Sequence, residues 1–165
     1  MEYIASISYG KDSLAMLEVI YQNNLPLDRI VHVEIMATKD IPADLPPMME
    51  FKAKADAIIY EKYGIKVEHI TAPTTYEDGF YHICKGTKSR NAGKIYGFPL
   101  QKGNWCNSRL KQSVLERVQK NAIVYIGIAV DEPKRFHNLT ATKRSPLVEY
   151  DWTEKMCRDW CKEND

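Results

Sequence analysis

The chain has 165 residues, of which 44% are hydrophobic and 27% are charged, as is typical of one soluble globular domain with its own core. Its net charge of +1 excludes a strong overall positive potential that would attract nucleic acid or a membrane surface. A local basic patch is still possible. The sequence shows no signal peptide and no apolar run of membrane-spanning length, so we expect a cytoplasmic protein with no membrane partner.

Strand and helix patterns alternate along the chain. Short apolar runs bounded by turn residues predict strands at residues 3–7, 30–36, 66–71 and 122–129. Longer periodic stretches predict helices at residues 14–21, 46–63 and 108–120, and a last helix that Asp151 caps together with Glu154. Residues 72–111 have no clear period and many Lys and Arg residues, which we interpret as an insertion over the active edge of the sheet.

This alternation predicts the fold class. Strands that alternate with helices form right-handed βαβ units, so we expect a single Rossmann-like α/β domain over residues 1–165. Its open parallel sheet would carry helices on both faces. Ligands of such sheets bind beyond the carboxyl ends of the strands. The loops that follow the first, second and last strands should therefore surround one crevice.

The loop after the first strand has the composition of an anion site. Gly10 allows a backbone angle that a side chain would resist, and the first amides of the next helix attract negative charge. Ser8 and Ser13 add hydroxyl donors, and Lys11 adds a positive charge. These features predict a phosphate-binding loop made of Ser8, Tyr9, Gly10, Lys11, Asp12 and Ser13.

The segment S-Y-G-K-D-S resembles the S-G-G-K-D-S loop of the adenine nucleotide α-hydrolase-like (PP-loop) superfamily, with Tyr9 at the first glycine. That superfamily includes ATP pyrophosphatases, tRNA-thiolating enzymes and phosphoadenosine phosphosulfate (PAPS) reductases. Residues 125–135 and 143–153 resemble the PAPS-reductase pattern G-I-R-x-D-E, basic residues, then P-L-x-x-W-T. The resemblance covers both ends of the chain and implies an adenine nucleotide, either ATP or a PAPS-type molecule, on the loop.

The resemblance also implies phosphate or sulfate contacts outside this loop. By position these fall on Lys134, Arg135, Lys143 and Arg144. The segment W-C-N-S-R-L-K resembles the family's C-x-x-x-x-K segment. Its basic residues, Arg109 and Lys111, fall in the first turn of a predicted helix, where positive charge is unfavourable unless an anion binds. Both are therefore predicted phosphate contacts.

Two further sets of residues are assigned by position. Many family members have an Asp-Thr-Gly run after the second strand, whereas this chain has Glu-Ile-Met-Ala-Thr. Met36, Ala37 and Thr38 would lie on the adenosine side, although recognition need not follow the usual pattern. Asp12 and Glu132 are the carboxylates that we expect near Mg²⁺ or the ribose.

The cysteines are Cys84, Cys106, Cys157 and Cys161, and in a reducing compartment they are thiols or metal ligands rather than disulfides. Cys157 and Cys161 lie one helical turn apart but match neither a C-x-x-C pair nor the adjacent cysteines of cluster-bearing sulfonucleotide reductases. We expect both to pack in the core and expect no iron–sulfur cluster. Cys106 could be an activated thiol or a packed one.

Three functions stay open at this stage. The first is sulfonucleotide reduction, in which a thiolate attacks the sulfate sulfur and thioredoxin is the partner. The second is ATP-dependent adenylyl transfer in the thiolation of RNA or DNA, and the third is a non-catalytic nucleotide-binding module. PAPS reductases that resemble this chain carry their nucleophile in a C-terminal E-C-G-I-H tail. The sequence lacks such a tail, so we expect a truncated C-terminus and no PAPS reduction by this chain.

Overall fold

A five-stranded parallel sheet runs through the computed structural model, which describes residues 1–86, 90–100, 104–137 and 139–164. Its strands are β1 (Glu2–Ile7), β2 (Arg29–Glu34), β3 (Val67–Thr71), β4 (Ala122–Ile126) and β5 (Lys143–Arg144). The strand order is β3-β2-β1-β4-β5, so the chain reverses its direction of winding at β1. Helices flank the sheet, which confirms the predicted Rossmann-like α/β fold.

The helices differ widely in length. The longer ones are α1 (Lys11–Gln22), α2 (Pro46–Tyr63) and α8 (Glu154–Glu163). The short ones are α3 (Tyr76–Phe80), α4 (Trp105–Asn107), α5 (Ser113–Val118), α6 (Pro133–Phe136) and α7 (Pro146–Glu149), and a π-helical turn at Ser108–Gln112 joins α4 to α5. Within the described ranges, no helix has both the length and the apolar character needed to cross a bilayer.

The chain divides into two compact units. Unit 1 consists of Met1–His32, Glu50–Glu68 and Gln119–Asp165, whereas unit 2 consists of Val33–Met49 and His69–Val118. In unit 1, Ile4 of β1 and Tyr125 of β4 are fully buried, and Met16 of α1 is buried as well. α1 also packs against α7 and α8. The core of unit 1 therefore lies around β1, β4 and α1.

Several predicted boundaries differ from the structure: β2 ends at Glu34 rather than at residue 36, and α1 begins at Lys11 rather than at residue 14. β4 ends at Ile126 rather than at residue 129, because the amide of Ile128 turns back onto the Ile126 carbonyl (3.1 Å). The last helix is capped by Thr153, whose side chain accepts from the Met156 amide, so the prediction of Asp151 as the cap was wrong. The helix predicted from residue 108 begins earlier, at Trp105.

Candidate phosphate and cation site

The loop between β1 and α1 joins the end of a buried strand to the start of a twelve-residue helix. Gly10 is the N-cap of α1, and no side chain caps the helix there. The Ser13 hydroxyl donates to the Gly10 carbonyl (2.9 Å) and accepts from the Ser8 amide (3.2 Å), which closes the loop on itself. The amides of the first helical turn carry the positive end of the helix dipole, so this end of α1 favours an anion.

Tyr9 holds the unusual backbone conformation of this loop. Its φ is 58°, in the left-handed region that favours glycine, whereas Gly10 has a φ of −78° that any residue can adopt. The Tyr9 side chain is only 4% exposed, its hydroxyl donates to Asp56, and its ring meets the His32 ring edge-on at 4.8 Å. Burial and this hydrogen bond offset the backbone strain. The prediction that Gly10 needs glycine's conformational freedom was wrong.

Gly127, directly after β4, allows a close backbone approach to the loop. A Cβ at this position would lie 2.8 Å from the carbonyl carbon and oxygen of Asp12 and from the amide nitrogen of Ser13. A Cβ atom essentially never lies that close to backbone atoms, so only glycine fits without displacing the start of α1. Gly127 therefore sets the position of the loop against the end of β4.

Three carboxylates meet beside the loop. Asp12 of α1, Glu132 after β4 and Glu154 of α8 each offer one oxygen, and these oxygens lie within 4.8 Å of one another. The Lys11 amine lies among them, 2.8 Å from Asp12 and 3.1 Å from Glu154. Partial burial lowers the pKa of Lys11, but the hydrogen bonds to Asp12 and Glu154 outweigh burial and raise its pKa above the ordinary value.

Hydrogen bonds from neighbouring residues hold this carboxylate cluster in place. Arg135 donates to one oxygen of Glu132 (2.6 Å), and the Ala129 amide donates to the other (3.3 Å). The amide of Glu154 donates to Asp131 (2.9 Å), which ties the start of α8 to the loop after β4. Hard oxygen ligands of this kind suit Mg²⁺, which usually keeps several waters and binds through carboxylates and substrate phosphates. The cluster therefore fits a Mg²⁺ ion beside the loop.

The remaining basic residues predicted in unit 1 lie at the same end of the sheet or on its edge strand. Lys134 and Arg135 are in α6, directly after the loop that carries Glu132. Lys143 and Arg144 form β5, beside Val124 and Tyr125 of β4. Arg144 donates to both carboxylate oxygens of Glu149 (2.9 and 2.6 Å), and its guanidinium lies 5.5 Å from the Tyr125 ring centroid. Their phosphate contacts stay predictions.

The other predicted site residues belong to unit 2. The carbonyls of Met36 and Ala37 accept from the Tyr76 and Glu77 amides at the start of α3, and the Thr38 amide donates to Ile41. Arg109 and Lys111 lie in the π-helical turn. Since the helix begins at Trp105, neither is in its first turn, and the dipole argument for them was wrong. Their roles as ligands stay predictions, as do those of Met36, Ala37 and Thr38.

The two cysteines of α8 lie against the start of α1. Cys157 is fully buried, and burial, followed by the nearby Asp12 carboxylate, raises its pKa to about 12. The Cys161 thiol is partly exposed and donates to the Lys11 carbonyl at 3.6 Å. Cys157 is therefore a protonated, inert thiol at neutral pH. The other two cysteines, Cys84 and Cys106, are free thiols in unit 2.

Two residues of this site were missed by sequence reasoning, namely Glu154 as a third carboxylate and Gly127 as the point of close approach. The signal for Gly127 was a lone glycine inside the predicted strand at residues 122–129, where a glycine often marks a close backbone approach. Glu154 carried no such signal, because its partner Lys11 is 143 residues away in the sequence.

No family model and no curated protein matches the sequence. Among solved structures, the chain is similar to the U34-tRNA thiolase NcsA from Methanococcus maripaludis, solved with its [4Fe-4S] cluster. The TM-score is 0.54 and the sequence identity is 14%, with 98% of this chain and 56% of the NcsA chain covered. The chain thus shares the fold of NcsA and spans about half of its length.

This likeness corrects one prediction. The expectation that the chain holds no iron–sulfur cluster rested on cysteine spacing in the sequence, yet a protein of the same fold carries a [4Fe-4S] cluster. Spacing is a weak guide because cluster ligands can come from distant segments that the fold brings together. Within the described ranges, no cysteine belongs to a cluster of three side chains close enough to hold a metal ion.

Proposed function

We propose that the chain binds ATP with Mg²⁺ and transfers its adenylyl group to a nucleic acid, as the activating step of thiolation. The observation that carries this proposal is the loop at residues 8–13 with a three-carboxylate cluster directly beside it. An uncapped helix start suits the triphosphate, and the carboxylates suit its metal ion. The thiolase activity named for NcsA supports thiolation over PAPS reduction as the chemistry of this fold.

Each residue has a distinct part in this step. An oxygen of the acceptor base attacks the α-phosphorus of ATP, the bond from that phosphorus to the bridging oxygen breaks, and pyrophosphate leaves with the electron pair. The amides of Lys11 and Asp12 and the Ser8 hydroxyl hold the pyrophosphate portion, and Ser13 keeps the loop in shape through its hydrogen bonds to Gly10 and Ser8. Lys11 leaves its carboxylate partners and neutralises the phosphate charge. A Mg²⁺ ion held by Asp12, Glu132 and Glu154 would stabilise the leaving group.

PAPS reduction has less support. It requires a thiolate that attacks the sulfate sulfur. Of the two thiols beside the loop, Cys157 is buried with its pKa raised to about 12, and Cys161 donates its proton to the Lys11 carbonyl at 3.6 Å. A non-catalytic nucleotide-binding module would use the same loop, so it differs from the proposal only in turnover.

Product analysis separates these functions. The chain is incubated with ATP, Mg²⁺ and total small RNA, and separately with PAPS, thioredoxin and its reductase. We expect pyrophosphate and adenylylated RNA in equal amounts, dependent on Mg²⁺, with AMP released only when sulfide is added, and we expect no sulfite. A Ser13→Ala variant should lower pyrophosphate formation at least about tenfold, and Lys155→Ala, on the exposed side of α8, serves as the control. Release of ADP and phosphate, or of sulfite from PAPS, would contradict the proposal.

A further inference from the structure

Unit 2 contains a long stretch of sequence in which every charged residue is basic. Between Asp78 and Glu116 the sequence has seven Lys or Arg residues and no Asp or Glu, although the whole chain has a net charge of only +1. Two of the seven, Lys88 and Lys102, lie outside the described residues. The rest of the chain is therefore net acidic. A charge asymmetry of this kind is typical of a surface that binds a polyanion.

The same stretch folds into an antiparallel pair of segments. The Cys84 amide donates to the Lys94 carbonyl (2.9 Å), the Tyr96 amide to the His82 carbonyl (2.8 Å) and the Gly97 amide to the Phe80 carbonyl (3.0 Å). Trp105 anchors this pair, since it is only 5% exposed and its indole nitrogen donates to the Gly97 carbonyl at 3.2 Å. The pair is thus held by backbone hydrogen bonds and by a buried aromatic ring.

Aromatic side chains remain exposed on this supported surface. Tyr81 is 61% exposed and Phe98 is 74% exposed, although both lie against Phe80. Large exposed aromatic rings on a basic surface have an unfavourable contact with water. They are the side chains on which unpaired bases stack.

A cavity of about 440 Å³ opens beside the antiparallel pair. Its lining includes a planar cation stacked on a ring, because the Arg109 guanidinium carbon lies 4.8 Å from the centroid of the Tyr96 ring. His82 meets the same ring at 5.7 Å, and Lys85 and Asn91 also line the cavity. The volume is within the range of small-ligand pockets, and the lining offers a stacking surface, a positive charge and hydrogen-bonding groups.

We propose that this cavity and the basic surface around it bind single-stranded nucleic acid, with one unpaired base against the Tyr96–Arg109 stack. Aromatic and guanidinium planes stack on any base, and Lys and Arg residues neutralise the phosphates that follow. The π-helical turn that carries Arg109 is a geometry often found at functional sites. The inference rests on the proposed function in one respect: an enzyme that thiolates a nucleic acid must also bind that nucleic acid.

An acidic peptide is the competing occupant. It would satisfy the basic side chains, but it has no planar base to stack on the Tyr96–Arg109 pair. The cavity and the exposed rings would then contribute nothing to binding. The two occupants therefore differ in how strongly their affinity depends on the Tyr96 ring.

The test is fluorescence anisotropy with a labelled twelve-nucleotide single-stranded RNA. We expect Tyr96→Ala and Arg109→Ala each to weaken binding about tenfold. Arg109→Ala should also reduce the slope of log affinity against log salt by roughly 0.7. The duplex of the same sequence should bind more weakly, because its bases are already stacked. Tyr96→Phe keeps the ring and should keep the affinity, which separates loss of stacking from loss of fold.

The matched controls remove the same groups elsewhere. Arg158→Ala removes one exposed cation from α8, and Tyr60→Ala removes a ring that is 51% exposed in α2. Neither change should alter RNA affinity by more than about twofold.

Three results would overturn the inference: equal affinity for the RNA duplex, binding of an oligo-glutamate peptide that depends on Tyr96, or unchanged RNA affinity in Tyr96→Ala. ATP binding is measured in parallel. If ATP fails to bind while RNA binding depends on Tyr96, the proposed function fails and this inference stands.

Discussion

Replacing Gly127 by alanine is expected to lower the free energy of unfolding by about 1–3 kcal/mol, the usual cost of overpacking, and to abolish ATP binding. The added Cβ would lie 2.8 Å from backbone atoms of Asp12 and Ser13, and backbone cannot move aside as a flexible side chain can. The start of α1 must therefore shift. The proposed phosphate ligands are amides and a hydroxyl at that helix start. Even a small shift would therefore move them out of the arrangement in which they can bind the same phosphate groups.

Urea unfolding and ATP titration measure the two effects separately. Gly10→Ala is the matched stability control, since a Cβ there would meet only the Ser8 hydroxyl oxygen at an ordinary 3.5 Å and the φ of −78° is unstrained. We expect Gly10→Ala to unfold within about 0.5 kcal/mol of the wild-type chain. A Gly127→Ala variant with wild-type stability and wild-type ATP affinity would show that the close approach has no role.

Replacing Lys11 by glutamate is expected to weaken ATP binding about a hundredfold, equivalent to about 2.7 kcal/mol. Lys11 lies 2.8 Å from Asp12 and 3.1 Å from Glu154, so the variant places a fourth carboxylate in a cluster of three. It also replaces the cation proposed to neutralise the phosphates. Like charges placed side by side typically cost several kcal/mol, so the reversal should have a far larger effect than removal of the amine.

Calorimetric titration with ATP and Mg²⁺ tests this result. Lys11→Met, which only removes the charge, should weaken binding about tenfold. Lys155→Glu makes the same reversal at a side chain of α8 that is 81% exposed, and it should leave the affinity unchanged within about twofold. If Lys11→Glu binds ATP as tightly as the wild type, the phosphates do not lie on this loop.

The loop and the fold could be predicted from sequence because their signals are local. A short apolar strand, a turn with Gly10 and an apolar helix follow one another within about twenty residues. Which residue of the loop adopts the left-handed backbone conformation could not be predicted in the same way. Tyr9 takes the conformation usual for glycine because its ring is buried and its hydroxyl binds Asp56, which is 47 residues away in the sequence.

The carboxylate cluster shows the same limit. Asp12 and Glu132 were predicted near Mg²⁺ from their places after β1 and β4, whereas Glu154 was interpreted only as a capping residue. Its role in the cluster depends on α8 packing against α1, with Asp131 fixing the first amide of α8. Packing between helices so distant in sequence leaves no periodic or local signature. The early start of the helix at Trp105 was missed for a related reason, since a buried tryptophan rather than a capping side chain marks it.

The phosphates of ATP are proposed to lie on residues 8–13, beside the carboxylate cluster. The most direct measurement is the change in backbone amide NMR resonances during titration with ATP and Mg²⁺. We predict that the largest shifts fall on the amides of residues 10–14, with smaller ones at Glu132 and Glu154, and that ATP without Mg²⁺ leaves the last two nearly unchanged. Saturable ATP binding that shifts other resonances and leaves the amide resonances of residues 10–14 unchanged would contradict this placement of the phosphates.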